Sequence, residues 1–554
     1  MKIKGYDICD ETMHVQVVEG EALSLLTSKT GSWRSVRPVL EGGVAPCTHA
    51  CRGNIKIREY LELLAEGKVN EAAELLQEDN PLAAITGRVC PCFCEPDCHR
   101  GSFDQPIAIK QLERLVGDYI LRQGFSPPGL PAKKERVAII GSGPAGLSAA
   151  YYLARYGYQV TILEALSAAG GMLYWGVPEY RLPKGVVEQQ IEAIKGLGVE
   201  IRTNAAVGQD VTLHDLMVEG YKAVLIAVGA QKDLRLNVPG EDAEGVLPGV
   251  GFLRQVNSGD EVSLGDRVCV IGGGNTAIDS ARVATRSGAG SVSTLYRRSR
   301  AEMPAVAEEV DAALEDGIEV QFLVAPTEII VRSGRVAGIR CVRMELGEPD
   351  ETGRRRPIPI SGSEFDVEAD TVIVAIGQVP DLSFLDGSGV EIAPGGTIRA
   401  NSETLATNLP KVFVAGDAQT GPATVIEAVA SGKKAALGIN SYLTGHEILV
   451  SPGSERVIRY EDLNVNYFKH GPRQDLEGVE VEALKNAAIA EARRCFQCGR
   501  CNVCNTCWFL CPDAVILQKN GEIDFDYDYC KGCGVCAEEC PRGALGMDEE
   551  SKWQ

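Results

Sequence analysis

The chain has 554 residues, of which 45% are hydrophobic and 24% charged, with a net charge of −21. That length suggests about three or four domains, and the acidic balance argues against a nucleic-acid partner, which would need a basic face. Residues 1–20 carry Lys2 and Lys4 with no apolar run behind them, so no signal peptide is expected. Apolar stretches such as Ala223–Val228 fall well short of the roughly 18 residues of a membrane span, so no span is expected. The expectation is a soluble cytoplasmic protein, where 19 cysteines read as metal ligands rather than disulfides.

Residues 1–40 read as short strands, a short amino-terminal segment. Sixteen of the nineteen cysteines lie in two blocks, at 47–98 and 495–540. Within the first block, residues 54–82 carry a helical pattern, with Ile57, Tyr60, Leu61 and Leu64, then Ala72, Leu75 and Leu76, at three- and four-residue spacing. Pro127, Pro128 and Pro131 mark a linker. The middle then alternates strand, glycine turn and helix, which predicts doubly wound parallel sheets.

Arg136–Ile140 is a predicted strand running into Gly141-Ser-Gly143-Pro144-Ala145-Gly146 and a helix over Leu147–Tyr156. A second strand, Gln159–Leu163, ends in Glu164. The glycines allow a tight turn, close approach to a pyrophosphate and close helix packing. The helix amino terminus faces the phosphates, and an acid about 20 residues on suits a ribose hydroxyl. Arg267–Ile271 repeats the pattern with Gly272-Gly-Gly274-Asn275-Thr276 and a helix, about 130 residues downstream. Its second strand ends in Arg297-Arg298-Ser-Arg300, with no acid at the ribose position. Arginines there suit a 2′-phosphate, so NADPH is expected over NADH; the alternative is that they form surface ion pairs. Further on, Val414-Ala-Gly416-Asp417 places a carboxylate at a strand end, and a helix opening near Thr424 could stabilise negative charge on a reduced flavin.

Residues 446–494 read as a connector ending in a helix over Glu480–Arg494. Cys501, Cys504, Cys507 and Cys511-Pro, then Cys530, Cys533, Cys536 and Cys540-Pro, have the bacterial ferredoxin spacing twice. In that spacing the fourth cysteine of each run serves the other cluster. One cluster is expected on Cys501, Cys504, Cys507 and Cys540, and one on Cys530, Cys533, Cys536 and Cys511. Zinc, which Cys-x2-Cys also suits, is the alternative.

The stretches Gly170–Pro183, Gly272–Asp279, Tyr296–Arg298, Glu302–Pro304, Ala375–Gln378 and Ala415–Asp417 resemble the family of the glutamate synthase small subunit, which includes the amino-terminal half of dihydropyrimidine dehydrogenase. The resemblance implies two Rossmann-like domains of glutathione/thioredoxin reductase type, in an α/β chain with a helical iron–sulfur domain before them and a ferredoxin-like α+β domain after. FAD would take the first site, with Gly171, Arg181, Gly229, Gly416, Asp417 and Thr424 contributing. A nicotinamide cofactor would take the second, with Gly377. The boundaries so implied are a cluster domain at 41–130, FAD-binding halves at 135–240 and 371–445, the nicotinamide domain inserted at 241–370, the connector at 446–494 and the ferredoxin domain at 495–554. Thioredoxin reductase shares the architecture but needs a Cys-x-x-Cys pair in the nicotinamide domain, and none is present.

Cys47, Cys51, Cys90, Cys94 and Cys98 resemble the family's amino-terminal cluster domain, which holds two clusters and uses an upstream Cys-x2-Cys pair missing here. Cys495-Phe-Gln-Cys498 resembles that piece moved to the carboxyl-terminal block. The hypothesis is that Cys495 and Cys498 fold back onto Cys47 and Cys98. Cys51, Cys90 and Cys94 would then share a cluster with a fourth ligand at Glu113, or at Cys92. His49 and His99 read as packing or hydrogen-bonding groups. Four [4Fe–4S] clusters are expected, three if the fold-back is wrong. The implied function is electron transfer between NADPH, FAD and the clusters, to or from a partner: dissimilatory sulfite reductase, ranked first, a 2-oxoacid oxidoreductase, ferredoxin, or a glutamate synthase large subunit. A homodimer is allowed.

Overall fold

A computed structural model describes residues 2–3, 6–7, 29–124, 129–350, 353–448, 456–479 and 486–553. Two parallel five-stranded sheets form its centre. The first runs Val412–Val414, Ala223–Ile226, Arg136–Ile140, Gln159–Leu163, Glu200–Arg202 across the sheet. The second runs Val246–Pro248, Thr371–Val374, Arg267–Ile271, Ser291–Tyr296, Glu319–Phe322. In each, the strand feeding a glycine turn is central, and the strand order reverses beside it. An open parallel sheet places its ligand crevice at that reversal.

The central strands are apolar along their length because helices cover both faces. Helix Pro144–Arg155 packs against the long helix Val425–Thr444. A Cβ on Gly432 would stand 2.2 Å from the Ala145 carbonyl oxygen, so only glycine lets these helices approach so closely. The chain passes between the two sheets twice, through Lys232–Asp233 and Gln378–Val379, which pair antiparallel.

Residues 54–82 hold the expected helical pattern as two helices, Ile57–Ala65 and Val69–Asp79. Ile57, Tyr60, Leu61, Leu64, Ala72 and Leu76 point inward. Helices Ala83–Val89 and Ile109–Gln123 cross at Gly87 and Gly117, each against backbone of the other helix. Of the expected connector helix Glu480–Arg494, Ala487–Ala492 is helical; residues 480–485 lie outside the described set. No described helix is long and apolar enough to cross a membrane.

Strand Val36–Leu40, expected within a separate amino-terminal segment, pairs antiparallel with Leu545–Glu549 of the carboxyl-terminal module. Arg34 and Arg37 both grip Glu550, with Arg34 Nη2 donating at 2.7 Å to Oε1 and Arg37 Nε at 2.8 Å to Oε2. Hydrogen bonds from Arg37, then Arg34, pull the Glu550 carboxyl down to about 2 from 4.5. A depressed folded value means this contribution is complete above about pH 4.5 and is lost as pH falls towards 2. At neutral pH, Glu550→Gln is expected to raise amide exchange about tenfold in residues 36–40 and 545–549. Exchange in the Arg136–Ile140 sheet is expected to stay the same.

Candidate functional site

The first glycine turn opens onto a cavity of about 380 Å³, within the range of cofactor sites. Gly141 has φ +102°, and a Cβ on it would strike the Ala227 carbonyl oxygen at 2.5 Å. A Cβ on Gly143 would meet nothing within 4 Å, so that backbone faces the open cavity. Gly146 stands behind the wall, packed on Gly141. Pro144, Ala145, Gly171, Gly229 and Gly416 complete the near wall.

Glu164 lies at one end of the cavity, buried, with Oε2 accepting from the Ser142 backbone N–H at 3.0 Å and from its hydroxyl. Leu166 N–H donates to Oε1 at 2.9 Å. The carboxylate is therefore fixed before any ribose arrives. Asp417 lines the other side, where burial pushes its carboxyl up to about 6 against the opposing Ala423 N–H. Thr424 caps helix Val425–Thr444 through a reciprocal box with Glu427. That helix points its amino terminus into the cavity, a placement that favours negative charge. These residues fit a flavin dinucleotide.

Thr276, at the start of the second glycine helix, lines this same cavity and accepts from Gln378 Nε2 at 3.1 Å. The second turn repeats the first: Gly272 has φ +146°, and a Cβ would meet the Ala375 carbonyl oxygen at 2.1 Å, while Gly274 faces open space. Asn275 Oδ1 accepts from Val306 N–H at 2.9 Å. Gly377 accepts from Leu234 N–H at 3.0 Å, beside the crossing strand.

Two expected binding arginines are committed elsewhere. Arg181 is absent from the cavity wall and pairs with Asp279 and Glu309. Arg298 is buried, donating to the Arg355 carbonyl at 2.8 Å and to Asp350 at 2.7 Å. Arg297 is exposed and unpaired among the described residues, and so free to meet a 2′-phosphate. These pairings left no local sequence signal, since their partners lie 50 or more positions away.

The cysteines gather in four places. Cys501, Cys504, Cys507 and Cys540 line one small cavity; Cys511, Cys530, Cys533 and Cys536 line a second. Cys47, Cys98, Cys495 and Cys498 line a third. Arg58 donates to the Cys498 carbonyl at 2.8 Å there, a positive charge that sequence reasoning missed. His99 Nδ1 lies 3.8 Å from Cys498 Sγ. Cys51, Cys90 and Cys94 gather around Glu113, with Cys92 beside them: its Sγ lies 4.0 Å from Cys94 Sγ. Glu113 is buried, and burial raises its carboxyl to about 7 despite donation from Thr86 and, at 3.0 Å, from Asn80. Both donors take Oε1, and among the described residues Oε2 accepts no hydrogen bond.

Burial pushes the Cys47 thiol up, and the Cys90 and Cys495 thiols to about 12. Clustered buried thiolates need a compensating cation, and backbone N–H groups already aim at several sulfurs, as from Cys92 to Cys90 and from Gln497 to Cys495, each at 3.4 Å. Among the described residues no three His, Cys, Asp or Glu side chains stand where they could hold a single metal ion. Three of the sets surround voids, an arrangement that suits a cluster better than zinc, whose ligands close to within about 2.3 Å of one ion.

Two adjoining dinucleotide sites together with three cysteine-lined voids define an iron–sulfur oxidoreductase that uses a pyridine nucleotide. The chain belongs to the pyridine nucleotide-disulphide oxidoreductase family, whose model matches residues 135–432. Residues 31–125 match the dihydropyrimidine dehydrogenase domain II, 4Fe–4S cluster model, and 523–546 a 4Fe–4S binding domain. The chain is 44% identical to the NADP(+)-dependent formate dehydrogenase subunit beta of Moorella thermoacetica, over 82% of this chain and 70% of that one. It is 38% identical to the NADPH-Fe(3+) oxidoreductase subunit beta of Geobacter sulfurreducens, over 84% and 76%. It is 38% identical to the small chain of NADPH glutamate synthase of Escherichia coli, over 72% and 88%. It is an FAD- and 4Fe–4S-dependent NAD(P)H oxidoreductase.

Gly272→Ala is expected to slow flavin reduction by pyridine nucleotide about 100-fold or more, since a shift of about 1 Å costs that much. Flavin and iron content are expected to hold. Anaerobic stopped-flow absorbance checks this.

Proposed function

We propose that the chain is the NADPH-oxidising, electron-distributing subunit of a larger redox assembly, with four [4Fe–4S] clusters in line from its flavin. The single observation that carries this reading is that Thr276 of the second glycine helix lines the first glycine turn's cavity. FAD bound in that cavity converts a two-electron hydride donor into single electrons, which clusters carry.

The chain's own residues set the order of the relay. Gly53, two positions after Cys51, packs on Ile426 in the first turn of the helix that faces the flavin cavity. The Cys51, Cys90, Cys94 set with Glu113 is therefore the inlet. Cys47 and Cys51 lie one helical turn apart, with Cys51 N–H donating to the Cys47 carbonyl at 3.2 Å, so the second set adjoins the first. Cys498 and Cys501 are three residues apart, and Gly499 N–H meets the Arg542 carbonyl at 2.6 Å, joining the second set to the ferredoxin module. Cys507 lies within helix Thr506–Leu510 and Cys511 caps its end, and the two belong to different voids. Cys504 and Cys533 are the exposed ligands, at the outlet.

Among the chain's own arginines the preference for NADPH rests on Arg297, since Arg298 is taken and Arg300 pairs with Asp311. The partner is a separate redox protein. The three relatives quoted are named as subunits or chains of formate dehydrogenase, an Fe(3+) oxidoreductase and glutamate synthase, and none is named for a sulfite reductase. A formate dehydrogenase-like or glutamate synthase-like catalytic subunit therefore fits better than the sulfite reductase expected first.

Anaerobic iron analysis is expected to give about sixteen irons per chain, and about twelve in a Cys495→Ser, Cys498→Ser variant. An unchanged count in the variant contradicts the fold-back ligation. Arg297→Ala is expected to raise the KM for NADPH about tenfold or more, the worth of a charge-assisted contact, and to leave that for NADH unchanged.

A further inference from the structure

Arg181 lies in the segment after the first sheet's second strand, and its two acidic partners stand on helices of the second. Its Nη1 donates to both Asp279 oxygens, at 2.9 and 2.7 Å. Its Nε lies 3.0 Å from Glu309 Oε1, too far off axis for a hydrogen bond. The Arg181 and Asp279 side chains are only 9% and 7% exposed. Arg282 closes the cluster, bonding Glu309 at 2.6 Å and Asp316 at 2.8 Å. Tyr180 lays its ring beneath Arg282 and Arg286. Asp279 sits on the same helix as Thr276, one turn further along, so the charge-assisted bond shared by both its oxygens ties that helix to Arg181.

A surface ion pair holds little, because water competes for both charges. A buried pair is different: neither half can swing away without stranding the other's charge in the interior. Beside it, the Tyr180 hydroxyl donates to Asp279 Oδ1 at 3.5 Å, and Asn257 Nδ2 donates to the Trp175 carbonyl at 3.0 Å and the Val177 carbonyl at 3.3 Å. We propose that Arg181 is a positioning residue that latches the second nucleotide domain onto the first, holding the nicotinamide at the flavin instead of binding the flavin itself. The proposal rests on hydride transfer between the two sites. In that step a hydride leaves the nicotinamide ring with its electron pair, yielding oxidised nucleotide and two-electron-reduced flavin.

The test uses the full chain, purified anaerobically, and three variants: Arg181→Met, Arg181→Lys and Asp279→Asn, the last serving if the first does not fold. Stopped-flow reduction with NADPH and its 4-deuterated form is followed by flavin bleaching. A working latch gives Arg181→Met a transfer rate lower by about tenfold or more, an enlarged isotope effect and an unchanged half-saturating NADPH concentration. Bound FAD stays full, and Arg181→Lys falls between. An unchanged rate overturns the proposal. So does loss of FAD, which would make Arg181 a flavin ligand. Amide exchange over residues 172–183 and 275–286 decides independently of chemistry, with faster exchange in Arg181→Met supporting the latch and unchanged exchange overturning it. If the parent flavin is not reduced by NADPH, the proposed function fails, and exchange alone rules on the latch.

Discussion

A buried thiol cannot ionise alone, and that constraint shapes this chain. Cys47, Cys98, Cys495 and Cys498 come from positions some 400 residues apart, yet they line one void. Their ionised forms would repel one another in an interior that already disfavours charge. A cationic group at the centre would make a gathering of thiolates favourable. The rest of the architecture serves that meeting. Strand Val36–Leu40 crosses to the carboxyl-terminal module, and residues 456–479 run back over the amino-terminal helices, where Leu476 is fully buried. Arg58, Arg100 and Arg494 tie backbone carbonyls and acids across the same seam.

Joining the chain's ends also joins its chemistry. The two nucleotide sheets occupy the middle of the sequence and deliver electrons at one cavity. The cysteine sets would carry them away in steps no longer than a helical turn of chain: Cys47 to Cys51, Cys498 to Cys501, Cys507 to Cys511. Short covalent spacing of this kind holds neighbouring clusters close whatever the side chains do. Glu113 fits the inlet end for a related reason. Buried, and with Oε2 taking no hydrogen bond among the described residues, it would offer a harder ligand than sulfur in the proposed inlet set.

Much of this was legible in the sequence where the determinant is local. Gly141, Gly143 and Gly146 announce a turn because their backbone geometry is set within six residues. The crossed grouping of Cys511 and Cys540 follows from spacing alone, and the structure puts both in the voids that spacing assigns. Pairings that close at long range were not legible. Nothing near Arg298 reveals Asp350, nothing near Arg181 reveals Asp279, and nothing near Val36 reveals Leu545. In each case a residue type suited to one role, an arginine at a phosphate or a short strand at a terminus, was recruited to another by a distant partner. The fold-back of Cys495 and Cys498 was within reach only because a resemblance exposed a missing pair.

The most direct measurement is an anomalous difference map at the iron edge from crystals of anaerobically purified protein. Four tetranuclear peaks are expected, one of them enclosed by Cys47, Cys98, Cys495 and Cys498. An empty void there, or a single-atom peak that vanishes below the zinc edge, would contradict the account.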